Sequence, residues 1–275
     1  MSIAIQDKKL TVRQEKGQFL MKPFVSKQSI VRKIWGNTDV ILFIFAGAAA
    51  EFSLNKAVDW LYFTGKLPKD PLGRLFSTVA YAQKIVFASE EQANTAIDQI
   101  TMIHKHVEAA RAATIPDWAY RDVLFMLIGY SVSAFELLER KLTVAEKEEV
   151  FETFNRVGLR MRISGLPANF RDWEIAHAQQ LQEDLSYSRL SKDLYKQYQK
   201  HLGKVRYLLM RQIQALIVPK RVNELLMLGN GEIVAPILYC YKLSRTVNAH
   251  TLIRNMILPK KYKKEILGLQ AYGRL

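Results

Sequence analysis

The sequence predicts an all-α fold of about ten to twelve helices. Apolar residues recur at helical spacing along most of the chain, and no segment alternates as a strand does. Capping residues and prolines mark successive helix starts and ends. With 275 residues, 49% of them hydrophobic, the chain can bury a large core. No repeat or flexible linker divides it, so we expect one multi-helix domain over residues 29–275 after a basic arm at residues 1–28.

The composition excludes several classes of protein. The single cysteine, Cys240, allows no internal disulfide, so the fold does not require an oxidising compartment. The N-terminus lacks the apolar region of a secretory signal, and the apolar run at residues 40–50 is shorter than the roughly 20 residues that span a bilayer. We therefore expect a cytoplasmic protein.

The formal net charge of +14 is spread along the chain. Nucleic-acid binding would concentrate basic residues on one element, so we expect no nucleic-acid partner. Near the C-terminus, four lysines lie beside apolar residues within residues 257–267. That arrangement suits a solvated terminal helix or peripheral contact with an anionic membrane surface.

The first helices can be assigned in order. Ser29 is expected to cap a short helix, and Asp39 to cap the next one. The second helix is apolar all round, which is typical of a central position. A further helix is expected over residues 54–63, closed by Gly65 and Pro68.

Two helices joined at Ser89 carry the most informative side chains. Pro71 suits the first turn of one helix, and Ser89 with Gln92 forms a capping box for the other. One face of the first helix carries an arginine and three hydroxyl residues: Arg74, Ser77, Thr78 and Tyr81. The second helix places a histidine, His104, in the stripe of Ala93, Ile97, Ile100, Val107 and Arg111.

His104 has two interpretations. It is either a core histidine with a hydrogen-bond partner, as most buried polar groups are, or an axial ligand of haem iron. A neutral imidazole is a good metal donor. In the second case Arg74 suits a haem propionate, because a forked guanidinium matches a carboxylate. His106 should point away from the stripe and be solvated.

Further helices follow along the chain. One begins at Pro116, and a capping box of Thr143 and Glu146 opens another. Three more are expected at residues 169–185, 189–202 and 204–218, and the part from residue 233 is also predicted to be helical.

Most catalytic motifs are absent from the sequence. There is no phosphate loop, dinucleotide fingerprint, nucleophile elbow or H-E-x-x-H zinc motif. Glu174 and His177 form a single E-x-x-H motif, whereas a di-iron bundle requires two. We therefore expect His177 to be an ordinary half-buried histidine.

Residues 70–107 resemble the haem-protein family of latex-clearing protein, a rubber oxygenase, and the MpaB-type oxygenases. The family pattern is D-P-x-x-R-L-x-x-T on one helix and H-x-x-V on the next. This chain matches it with Asp70, Pro71, Arg74, Leu75, Thr78, His104 and Val107. A weaker similarity covers about residues 30–205 and includes the I-S-G-L-P turn at residues 163–167.

The resemblance implies a globin-like helical core that binds haem b without covalent attachment. His104 would be the proximal iron ligand, and Arg74 and Thr78 would lie near the haem and its distal pocket. Members with an assigned reaction use dioxygen to cleave carbon–carbon double bonds in isoprenoid chains. The expected function is therefore a haem b-dependent oxygenase of a lipophilic, unsaturated or isoprenoid intracellular substrate. Ser77 or Thr78 would donate a hydrogen bond to bound oxygen.

The chain departs from the family in several respects. Latex-clearing protein has a lysine where this chain has Ser77, so a distal lysine that closes onto the iron is absent. No catalytic carboxylate can be matched, and Glu51 and Asp59 are both candidates. No export signal is visible, which argues against rubber as the substrate.

The alternative function is a non-catalytic basic helical protein that binds an anionic membrane surface or a protein partner. In that case His104 is structural, and Arg74 pairs with a carboxylate such as Asp98.

Overall fold

The structure, a computed structural model, describes residues 22–232 and Pro236. Its helices are α1 Ile30–Gly36, α2 Thr38–Leu54, α3 Val58–Phe63, α4 Lys66–Lys69, α5 Pro71–Phe87, α6 Glu90–Arg111, α7 Asp117–Leu138, α8 Val144–Arg160, α9 Phe170–Glu183, α10 Arg189–Ile217 and α11 Lys220–Leu226. Helix α10 is kinked at Gly203, whose φ of 75° is not helical, so it consists of the two helices that were predicted on either side of residue 203. Within residues 22–232 no strand forms, and extended pairing is limited to isolated bridges. The all-α prediction is confirmed. Cys240, the predicted C-terminal helix and the basic residues 257–267 lie outside the described residues.

Local capping explains where several helices begin. The Ser89 hydroxyl accepts a hydrogen bond from the Gln92 amide, and the Gln92 side chain accepts one from the Ser89 amide. Thr143 and Glu146 form the same reciprocal box at α8. Pro71 lies in the first turn of α5, where a missing N–H has no cost. These starts were predicted correctly, because a cap depends on residues that are close in sequence.

Two predicted helix boundaries were wrong. The cap of α2 is Asn37, whose Oδ1 accepts from the amides of Asp39 and Val40. The helix expected over residues 54–63 breaks at Asn55, whose side chain turns back to accept from the Ala57 amide at 2.8 Å. An asparagine side chain that bonds to nearby backbone competes with helix continuation at both positions.

Helix α2 lies at the centre of the fold and packs along α7 and α10. A glycine makes the close approach to α7 possible. A Cβ atom on Gly47 would lie 2.2 Å from Cδ1 of Tyr130, far inside contact distance. The buried Trp35 donates to the Ser131 hydroxyl at 3.1 Å, which links α1 to the same face of α7. The predicted central position of the apolar helix is therefore confirmed.

The described end of the basic arm packs onto the domain. Phe24 and Val25 are each 4% exposed and belong to the main core. The Arg156 guanidinium lies 3.9 Å from the centre of the Phe24 ring and donates to the Phe24 carbonyl at 2.7 Å. The packed part of the chain therefore includes these residues. The globin-like character of the core, which the resemblance implies, stays a prediction.

In the described part of the chain, no single helix has the length and apolarity needed to cross a membrane. Helices α1 and α2, which meet at a bend of 83°, reach that length and apolarity only when the two are taken together.

Candidate functional site

The site forms where α5, α6 and the start of α7 meet, around His104. The first part of the α6 stripe is fully buried, with Ala93 and Ile97 at 0% exposure. From Ile100 onward the stripe is only partly covered, and His104 lies in this part. His106 is exposed, and its Nδ1 lies 2.7 Å from the Met102 carbonyl oxygen. The predicted difference between the two histidines is confirmed.

One ring nitrogen of His104 has no hydrogen-bond partner among the described residues. This nitrogen, Nδ1, is buried. Burial, and then the positive charge of Arg74, lower the pKa of His104 to about 4, against a smaller opposite effect of Glu108. The imidazole is therefore neutral near pH 7. A core histidine with a partner, the first interpretation, would show the hydrogen bond that is missing here.

Tyr120 of α7 forms one wall beside the imidazole. The two rings are 5.1 Å apart between centroids and meet edge to face at 66°. The Tyr120 hydroxyl donates to Oε1 of Glu108 at 3.4 Å, and the Ile115 amide donates to the same oxygen at 2.8 Å. Burial, with the nearby Glu108 carboxylate, raises the pKa of Tyr120, so the phenol stays protonated. No local sequence pattern points to Tyr120 as a neighbour of His104.

Arg74 and its two hydroxyl neighbours form one unit on α5, as their spacing predicted. The guanidinium Nη1 donates to Ser77 Oγ at 3.0 Å and to Thr78 Oγ1 at 3.4 Å. Each hydroxyl in turn donates to the Arg74 carbonyl, at 2.7 Å from Ser77 and 3.2 Å from Thr78. Because a hydroxyl has one hydrogen, neither group can donate to a ligand in this rotamer. Donation to bound oxygen requires the hydroxyl to rotate.

Arg74 has no described carboxylate within ion-pair distance. Asp98, the partner considered for it, instead binds Arg160 of α8 through two hydrogen bonds of 2.9 and 2.6 Å. Burial lowers the pKa of Arg74, which shows that its charge lies in a poorly solvated place. A partly buried guanidinium whose described partners are hydroxyls is well suited to an anionic ligand.

Arg111 lies at the end of the same α6 stripe and contacts α3. Its Nη2 donates to Oδ2 of Asp59 at 2.8 Å, and its guanidinium lies 4.1 Å from the centre of the Trp60 ring. Nη1 is buried and forms no hydrogen bond with a described residue. Of the two carboxylates considered for catalysis, Asp59 therefore lies next to the His104 stripe.

Glu51, the other candidate carboxylate, lies in a separate polar cluster inside the core. It is 0% exposed and accepts from the Tyr130 hydroxyl at 2.8 Å. Its other oxygen lies 3.6 Å from Nε2 of His177, which stacks on Trp173 with 4.9 Å between ring centroids. The prediction of an ordinary half-buried histidine at this position did not include the contact with Glu51. The sequence signal for this cluster was Glu51 itself, because a carboxylate inside an apolar helix requires a buried partner.

Asp122 and Asn55 form a second buried polar contact near this cluster. Asn55 Nδ2 donates to Asp122 Oδ2 at 2.7 Å, and both residues are almost fully buried. Burial raises the pKa of Asp122 to about 7, although the Asn55 hydrogen bond acts in the opposite direction. This carboxyl group therefore titrates in the physiological range.

The site fits a haem better than a metal held by protein side chains alone. Among the described residues, no group of three or more His, Cys, Asp and Glu side chains could hold a metal ion. Haem iron needs one protein donor, and a neutral imidazole with an unpaired nitrogen is available at His104. Arg74 supplies the positive charge that a porphyrin carboxylate would need.

The sequence model of one protein family matches residues 32–236 of the chain. The family is described as "ER-bound oxygenase mpaB/B'/Rubber oxygenase, catalytic domain". The match contains α2 to α11 and with them every site residue named above. No curated protein matches the chain.

Proposed function

The chain belongs to the mpaB/rubber oxygenase catalytic-domain family, and on this premise we propose that it is a haem b-dependent oxygenase. It would use dioxygen on a lipophilic substrate with unsaturated or isoprenoid character. One observation carries the proposal. His104 is neutral, partly buried and unpaired at Nδ1, and it lies beside Arg74, which has no described carboxylate partner.

The side chains divide into two roles. His104 would hold the iron from the proximal side, since its low pKa keeps a nitrogen lone pair available near pH 7. Arg74 would bind a porphyrin carboxylate with the guanidinium N–H groups that its hydroxyl neighbours leave free. When bound, the haem supplies the redox chemistry and the place where dioxygen is activated.

Ser77 and Thr78 would set the polarity of the pocket beside the haem. Both hydroxyls now donate to the Arg74 carbonyl, so a rotation of either one would present its hydrogen to a ligand. With Ser77 in place of a lysine, no ammonium group at this position competes for the iron.

An exposed aromatic side chain beside Arg111 supports a lipophilic substrate. Phe63 is 48% exposed, and its ring centre lies 5.4 Å from the Arg111 guanidinium. Exposed large apolar side chains near a site are typical of a surface that receives an apolar ligand.

The visible absorption spectrum tests the proposal. The purified protein, reconstituted with haem b, is expected to show a Soret band that H104A loses or shifts, because the variant removes the axial donor. H106A is the matched control, since His106 is an exposed histidine two residues away on the same helix. Its spectrum should equal that of the wild type.

Two results would contradict the proposal. A wild-type protein that stays colourless after reconstitution would return His104 to a structural role and favour the non-catalytic basic protein. An unchanged spectrum in H104A would mean that another residue ligates the iron.

A further inference from the structure

Arg111 has unused hydrogen-bonding capacity in a partly buried place. Its side chain is 27% exposed, and Nη1 is buried without a described partner. Its described polar partner is Asp59, which is itself 47% exposed and can be hydrated when unpaired. A guanidinium carries five N–H donors, and leaving a buried one unpaired is unfavourable. Arg111 Nη1 therefore has hydrogens that an additional acceptor would satisfy.

Arg111 lies on the His104 face of α6. The two residues are seven positions apart, which places them about 10 Å apart along the helix and nearly in line. Glu108, between them on this face, turns to Tyr120 and the Ile115 amide. Arg74 approaches the same histidine from α5. Arg74 thus lies near His104 from α5, Arg111 lies about two turns from His104 along α6, and each guanidinium has N–H groups that no described hydrogen bond uses.

We infer that Arg111 is a second binding residue for the carboxylates of the haem, in addition to Arg74. The inference rests on the proposed function. Haem b carries two carboxylates, and each can accept two parallel hydrogen bonds from one guanidinium. The Trp60 ring, 4.1 Å from the guanidinium, holds Arg111 in place, so little side-chain freedom is lost when a carboxylate binds.

A purely structural role for Arg111 is the competing explanation. In that case the Asp59 ion pair and the Trp60 contact join α3 to the end of α6, and no ligand is involved. The two explanations differ for R111Q, which lowers the preference for free haem carboxylates only if Arg111 binds one of them, and D59N serves as the control that keeps the guanidinium. If Arg111 binds a carboxylate of the haem, loss of Asp59 leaves the guanidinium more available and haem binding persists or strengthens. If Arg111 is structural, D59N and R111Q affect only stability.

The experiment compares haem b with its dimethyl ester, in which both carboxylates are masked. Apo-protein is titrated with each, and the two dissociation constants are obtained from the Soret band. The wild type is expected to prefer the free acid. R111Q should reduce that preference by about tenfold or more, the effect of one charge-assisted hydrogen bond. D59N should keep the wild-type preference or exceed it, and circular dichroism and thermal unfolding report whether each variant is folded.

The outcomes separate the inference from the proposed function. Equal preference in R111Q and the wild type would overturn the inference, while haem binding by both would leave the proposed function intact. A wild type that binds neither compound would overturn both. If R111Q does not fold, R111K is measured instead, since lysine keeps the positive charge but lacks the planar guanidinium that binds a carboxylate through two hydrogen bonds. A preference lowered about threefold or more supports the inference, and an unchanged one overturns it.

Discussion

At the scale of single residues, Asp122 makes the stability of the protein depend on pH. Its folded-state pKa is about 7, and that of an unfolded aspartate is about 3.9. Between these pH values only the folded state binds the proton. The stabilisation is therefore complete below about pH 4 and is lost as the pH rises through 7, by an amount on the order of 4 kcal/mol at most.

D122N should remove this dependence. The amide oxygen can still accept from Asn55, and an amide does not ionise. We expect the stability advantage of D122N over the wild type to be larger at pH 8 than at pH 5, by about 2–3 kcal/mol, because the wild type loses stability as the pH rises between these values. Urea unfolding at the two pH values measures the difference.

The control is E152Q, which neutralises an exposed carboxylate of α8. Its difference from the wild type should be the same at both pH values. If D122N behaves in the same way as E152Q, the carboxyl group of Asp122 does not titrate near neutrality.

The two histidines of α6 show how position on a helix decides chemistry. His104 and His106 are about 200° apart around the axis, so one faces Arg74 and Tyr120 and the other faces solvent. Only the first lies where burial and a neighbouring positive charge keep the imidazole neutral. Which of the two histidines faces inward follows from helical periodicity alone.

At the scale of helices, the contact between α2 and α7 depends on a missing side chain. G47A would place Cβ 2.2 Å from the ring of the fully buried Tyr130, which also donates to Glu51. Overpacking of this kind costs about 1–3 kcal/mol, so we expect the free energy of unfolding to fall by that amount. Thermal or urea unfolding of the variant gives the value.

G129A on α7 is the matched control. Its Cβ would meet His177 and Trp173 at 3.4 Å, close to ordinary contact distance. Alanine is favoured over glycine in a helix by roughly 0.5–1 kcal/mol, so G129A should be neutral or slightly stabilising. A G47A protein as stable as the wild type would show that Tyr130 can move away without cost.

Helix α6 is held against its neighbours at two places. Near its middle, Asp98 binds Arg160 of α8, and at its end Arg111 binds Asp59 of α3. Both pairs are substantially exposed, so each contributes at most about 1 kcal/mol of stability. Their effect is mainly to fix how α6, and with it His104, is oriented toward α5.

At the scale of the whole molecule, haem binding should stabilise the fold. A ligand that binds only the folded state adds about 2.7 kcal/mol at a hundred times its dissociation constant. For a domain of this size that corresponds to an increase in Tm of about 5 °C or more. Differential scanning calorimetry with and without haem b should show the increase in the wild type and in H106A.

H104A should show a smaller increase, because the iron loses its axial donor. An equal increase in all three proteins would mean that haem binds elsewhere or without ligation by His104.

The sequence by itself determined what depends on residues close together in the chain. The helical class, most helix starts and the faces carrying Arg74, Ser77, Thr78 and His104 all follow from spacing and capping. Errors arose where a side chain accepted hydrogen bonds from backbone amides two or three residues further along, as at Asn37 and Asn55.

Only the tertiary structure decided which groups from distant segments meet. It assigned Asp98 to Arg160 rather than to Arg74, and it placed Asp59 against Arg111, 52 residues away. Glu51, Tyr130 and His177 come from three separate helices, so no local pattern could join them. The physical reason is that periodicity gives the face of a helix, whereas the partner of that face depends on how all the helices pack together.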